Sequence, residues 1–246
     1  MIDQGLVEEE GARFALEVME TLARVLPSGN LGFTSVARTV GSEAYVSISQ
    51  AEDLGLELTV HGRPLARLVV EYRCRLSEVR KMLMTMTSSY KLFVGESNFP
   101  VFAFDYVKDA RANTPAAHWN VYANRQDVSE SLRRAGAQRR GSTNRRAARD
   151  GRTGIVGEMH FPVGGHRFRP CLEDVLDMVW SEYGIDTRPT ARAAIDEGRR
   201  RWRQIQLKAA VSDDPSTAAE ELRRLGISVP DLSASLSERL DRTTAI

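Results

Sequence analysis

The chain has 246 residues, 42% of them hydrophobic and 27% charged, an ordinary globular balance that argues against intrinsic disorder. Its net charge is +1, so no whole-molecule field draws in a polyanion, and no apolar run reaches the roughly 18 residues that a membrane span needs. Residues 1–10 are acidic and lack the pattern of a secretory signal, and the two cysteines, Cys74 and Cys171, read as reduced thiols, so a cytoplasmic protein with no membrane partner is expected.

Phe14, Val18, Leu22 and Val25 recur at helical spacing and predict a helix over 6–26, with Glu8, Glu9 and Glu10 in its first turn. Pro27-Ser28-Gly29-Asn30 ends it. Tyr45 to Ser49 alternates, as do Leu56, Leu58 and Val60. After the turn His61-Gly62-Arg63-Pro64, Leu68, Val70, Tyr72, Cys74 and Leu76 fall on one face of a strand. Arg67, Glu71, Arg73 and Arg75 fall on the other, a wet face that can meet an anion or simply be solvated. Further strands are expected over 90–94, 101–107, 118–123 and 155–161; Phe102, Phe104 and Tyr106 share one face of the second, and Asp105 lies on its reverse.

Residues 131–152 hold eight arginines and one aspartate, a local charge of +7 that leaves −6 for the rest of the chain. With almost no large apolar side chains, this segment is expected to be an exposed, flexible loop. The whole chain has 30 arginines and four lysines, which coding bias explains as readily as phosphate recognition does. Beyond the loop the pattern turns helical. One helix starts near Pro170, carries Leu172, Val175, Leu176, Val179 and Tyr183 inward, and ends at Gly184. A second spans about 189–210, with Ile195, Trp202 and Ile205 inward and Arg192, Arg199, Arg200, Arg201, Arg203 and Lys208 outward. Asp214-Pro215 opens a third that stops at Gly226. Strands before helices imply an α+β fold: an N-terminal helix, a largely antiparallel sheet and C-terminal helices packed on it. The expected organisation is one domain over 1–246, with helix and sheet in 1–130, the loop at 131–152, and the last strand and helices in 153–246.

Three of the four histidines lie between 118 and 166. Alternation places His118, Asn120 and Tyr122 on one strand face, and Glu158 and His160 on one face of another. If those strands pair, His118 and His160 meet as general acid and base, with Glu158 orienting one imidazole. Arg167 and Arg169, flanking Phe168, would hold phosphate together with Asn120 and the loop residues Arg139, Arg140, Arg145 and Arg146. No cofactor is needed for this chemistry. Alternatively, His118, Glu158 and His160, with His166, form a nitrogen and oxygen set suited to a divalent transition metal. Each histidine taken alone is also an ordinary hydrogen-bonding strand residue. The two glycines of Pro162-Val163-Gly164-Gly165 permit positive φ or close backbone approach, and a helix start follows, although Glu173 and Asp174 already occupy it.

The block His160-Phe161-Pro162, Gly164-Gly165, Phe168-Arg169-Pro170 and Leu172-Glu173-Asp174 resembles a motif of an uncharacterised protein family common in actinobacteria. The resemblance extends upstream through Phe104-Asp105-Tyr106 and His118-x-Asn120 and downstream through Trp202 to Pro215, and it implies that these segments form one unit but no activity. Two functions from different classes are therefore expected to compete. One is a metal-independent nuclease or phosphodiesterase using the histidine pair. The other is a non-catalytic module for nucleic acid or a protein partner, with structural histidines.

Overall fold

The alternating stretch that carries Arg67 to Arg75 becomes the longest strand of an antiparallel sheet. A computed structural model describes residues 4–27, 31–41, 43–51, 55–77, 82–95, 97–110, 114–122, 161–230 and 237–244. Helix α1 (Gln4–Val25) precedes strands β1 (Phe33–Val40), β2 (Glu43–Gln50), β3 (Leu56–Val60), β4 (Arg63–Ser77), β5 (Met82–Val94), β6 (Phe102–Val107), β7 (Ala117–Val121) and β8 (Phe161–Pro162). Helices α2 (Leu172–Tyr183), α3 (Ala191–Asp213), α4 (Pro215–Arg224) and α5 (Leu240–Thr243) follow. The order β1-β2-β4-β5-β6-β7-β8, with β3 also on β4, makes an eight-stranded sheet in an α+β fold. Three elements differ from expectation. Strand β1 and the first half of β5 carry no strong alternation of apolar residues, and α1 begins at Gln4, which puts Glu8 to Glu10 beyond its first turn.

Period-two patterning decides which face of the sheet is dry. Val46, Ile48, Leu68, Val70, Leu92 and Phe104 are all fully buried and all point to the helical side. Aromatic rings cross that side in a row: Phe14 of α1 meets Tyr72 at 4.9 Å, Tyr72 meets Tyr90 at 5.8 Å, Tyr90 stacks on Phe104 at 5.8 Å, and Phe104 meets Trp119 at 5.1 Å. Leu22 and Val25 of α1, Val175, Leu176 and Val179 of α2, and Ile195 of α3 close the same core. Cys74 and Cys171 are free and buried, and burial pushes the Cys74 thiol up to about 12.

Caps and cross-links match the local chemistry. Asp174 accepts from the Cys171 backbone at 3.1 Å to start α2, Gly184 ends it in the left-handed region, and Asp214 accepts from the Thr217 amide at 3.0 Å to start α4. The far end of α1 is tied to the α2–α3 connection. Arg188 Nε donates to the Leu26 carbonyl at 2.8 Å, Thr190 Oγ1 donates to that of Arg24 at 2.7 Å, and Asp186 accepts from Thr59 Oγ1 at 2.7 Å.

No helix among the described residues covers the opposite face of the sheet. Arg38 and Val36 on β1, Ser47 on β2, and Glu71 and Arg73 on β4 are exposed there. Towards β6 and β7 the same face closes, and Ala103, His118 and Asn120 are buried.

Candidate functional site

His118 sits where alternation places it, with Asn120 and opposite Asp105. Strands β7 and β8 do pair, His118 with Pro162 and Trp119 with Phe161. The other members of the expected catalytic and metal set, Glu158 and His160, lie outside the described residues, as do Arg139, Arg140, Arg145 and Arg146. His118 is only 4% exposed, and its Nδ1 donates to the Pro115 carbonyl at 2.9 Å. Burial and a backbone anchor suit a structural imidazole better than one exchanging protons with a substrate. Around it runs a polar row: Asp105 accepts from Ser89 Oγ at 2.6 Å and from Asn120 Nδ2 at 3.1 Å. Asn120 Oδ1 is buried without a partner. No group of three histidine, cysteine or acidic side chains is arranged to hold a metal ion among the described residues.

Arg167 and Arg169 do not converge on an open anion site. The stretch is not extended, since Phe168 donates its amide to the Gly164 carbonyl at 2.9 Å. Strict alternation therefore does not govern it. Arg167 forms a two-point ion pair with buried Asp213, with Nη2 to Oδ1 at 3.1 Å. Arg169 is 6% exposed and lies between the rings of Tyr106 and Trp202, at 3.7 and 4.7 Å, while Nη1 donates to the His166 carbonyl and to Gln206. Burial lowers its pKa. Of the two arginines expected to hold phosphate, Arg167 is thus paired with a carboxylate and Arg169 is enclosed by aromatic rings.

His166 completes this cluster. Its Nδ1 lies 3.2 Å from Tyr106 Oη and its Nε2 3.2 Å from Arg242 Nη1. Because a guanidinium only donates, Nε2 accepts and Nδ1 carries the proton. Burial first, then Arg242, Arg167 and Arg169, lower the pKa of the ring to about 4. Tyr106, Trp202, Asp213 and Arg242 are separated from this loop by tens of residues, so local sequence carried no sign of their roles. The helix start after the loop is filled as well, because Asp174 caps it and Arg199 Nε lies 2.7 Å from the same carboxylate.

The open sheet face carries the remaining candidate chemistry. Arg38, Arg67, Arg73, Arg75 and Lys91 lie on it with Glu43, Glu57, Glu71 and Asp105. Two of the arginines pair with aromatic rings: the Arg73 guanidinium stands 4.6 Å from the Tyr45 ring centre and that of Arg67 5.7 Å from Phe93. Lys91 lies 2.9 Å from Glu71, and Arg75 pairs with Glu43. The arginines of β4 are legible in the sequence, whereas Tyr45 and Phe93, which strand parity places on the same side, are not. No helix of the described residues is long and apolar enough to cross a membrane. In comparisons with known proteins, no family model, no curated protein and no solved structure matches the chain.

Proposed function

We propose that this chain is a non-catalytic nucleic-acid-binding module that uses the uncovered face of its sheet. The observation that carries the reading is the interleaving of arginines and aromatic rings on that face, Arg73 with Tyr45 and Arg67 with Phe93. Guanidinium groups contact phosphates, and ring faces accept unstacked bases, so the two together suit a flexible strand better than a small anion. Arg38, Arg67 and Arg73 bring positive charge to the face of a chain that is near neutral as a whole.

Titration of fluorescent single-stranded RNA and DNA at low and moderate salt tests this. Affinity is expected to fall steeply with salt, and Arg73→Ala is expected to reduce the slope of log K against log salt by about 1. Salt-independent binding, or full affinity in an Arg67→Ala/Arg73→Ala variant, would refute it.

A hydrolytic reading has one observation in its favour: Ser89, Asp105, His118 and Asn120 form a connected polar row with an unsatisfied buried oxygen at Asn120. It requires His118 to titrate against a substrate. Cleavage of RNA or DNA by the wild type that is lost in His118→Ala would favour it over simple binding.

A further inference from the structure

The sheet leaves one long edge open. Strand β8 is only two residues long, and the outer side of β3 is met by the α2–α3 connection, whose Asp186 amide donates to the Thr59 carbonyl at 2.7 Å. Strand β1 has eight residues and pairs with β2 in one unbroken register, from Phe33 opposite Gln50 to Val40 opposite Glu43. It has no proline and no bulge, and Arg38 is its one charge. Edges are ordinarily kept from pairing by shortness, bulges, proline, charge or a covering segment, and β1 has little of that protection.

The ladder decides which groups this edge offers. The Ala51 amide donates to the Gly32 carbonyl at 2.8 Å, so Gly32 and Ala51 form a hydrogen-bonded pair. Alternation from there turns the backbone groups of Thr34, Val36, Arg38 and Val40 towards β2, and those of Phe33, Ser35, Ala37 and Thr39 outward. Among the described residues no backbone group from elsewhere reaches the outward set. The side chains of Thr34, Val36, Arg38 and Val40 are exposed, Val36 by 46%.

Another strand completes an edge of this kind, and β1 is complementary to itself. We infer that the chain forms a two-fold dimer in which β1 pairs antiparallel with β1 of a second copy, joining the two sheets. With the axis beside Val36, Phe33 comes opposite the partner's Thr39 and Ser35 opposite the partner's Ala37, so every outward N–H and C=O is matched. Val36 meets the partner's Val36 at a non-hydrogen-bonded position, where side chains approach most closely, and each covers the other. Arg38 falls opposite the partner's Thr34, so the strand's one charge does not meet its like. Both open edges are used up, and association stops at two copies. A foreign extended peptide would satisfy the same backbone groups, but the Val36 and Arg38–Thr34 matches belong to a second copy. Neither the pairing nor its test depends on nucleic acid.

Sedimentation velocity across micromolar concentrations tests the pairing with wild type, Val36→Lys and Val36→Cys. The wild type is expected to sediment as a dimer. Val36→Lys sets two ammonium groups against each other at the axis and is expected to sediment as a monomer with an unchanged circular dichroism spectrum, because the side chain is exposed in the free chain. Val36→Cys is expected to cross-link into a covalent dimer under mild oxidation, since opposed residues of a non-hydrogen-bonded pair lie within disulfide reach; the wild type, whose two cysteines are buried, is the control. A monomeric wild type, a dimer that survives Val36→Lys, or a Val36→Cys protein that stays uncross-linked overturns the inference.

Discussion

Replacing His166 by glutamine should flatten the acid limb of the stability curve. Burial together with Arg242, Arg167 and Arg169 takes the ring from 6.5 to about 4. The unfolded chain therefore picks up a proton near pH 6.5, whereas the folded chain resists it until about pH 4. In that window the unfolded state binds more protons, so the contribution is present above 6.5 and is lost as pH falls. At about 1.4 kcal/mol for each pH step below the unfolded value, roughly 2 kcal/mol should be gone by about pH 5. Glutamine keeps a polar end for Tyr106 and Arg242 but does not titrate. Urea denaturation of wild type and His166→Gln across a pH series isolates the effect, because the other histidines and the carboxylates contribute to both curves. Parallel curves would refute the reasoning, as would an NMR titration of the ring at its ordinary value.

Gly164→Ala should destabilise by about 1–3 kcal/mol, since φ is positive and the Phe168 carbonyl blocks the new methyl; chemical denaturation measures it. Phe104→Ala removes the fully buried ring at the centre of the aromatic row and should cost about 3–5 kcal/mol, read as a lower urea midpoint. Arg169→Lys keeps the charge but loses the planar contacts with Tyr106 and Trp202, so a loss of about 1–2 kcal/mol is expected in the same assay.

The helices and β4 were legible because their patterns are local. Val18, Leu22 and Val25 mark α1 at helical spacing, and Leu68 to Leu76 against Arg67 to Arg75 mark the strand and its two faces. Strand β1 was not legible because it is an edge strand, with Val36 and Val40 exposed and no buried stripe to betray it. The early part of β5 was hidden by a different cause. Its register shifts opposite Arg73 and Cys74, so the side-chain parity changes midway, and its methionines, threonines and serines signal a strand weakly. At the candidate sites, alternation correctly grouped His118 with Asn120. It failed at Arg167 and Arg169 because a glycine turn, not a strand, carries them. The partners that decide their chemistry, Asp213, Gln206 and Trp202, come from α3, and sequence order does not reveal that proximity.

The ties between α1 and the α2–α3 connection set the order in which the molecule can be completed during synthesis. Neighbouring strands β4 to β7 can zip together hairpin by hairpin soon after they leave the ribosome. The partners of Arg24 and Leu26, however, are Thr190 and Arg188, the latter 162 positions downstream of Leu26. Until those residues emerge, α1 and the dry side of the nascent sheet lack the helices α2 and α3 that seal the core. Chaperone binding to stalled nascent chains should therefore persist through the sheet-coding stretch and fall once α3 has been translated.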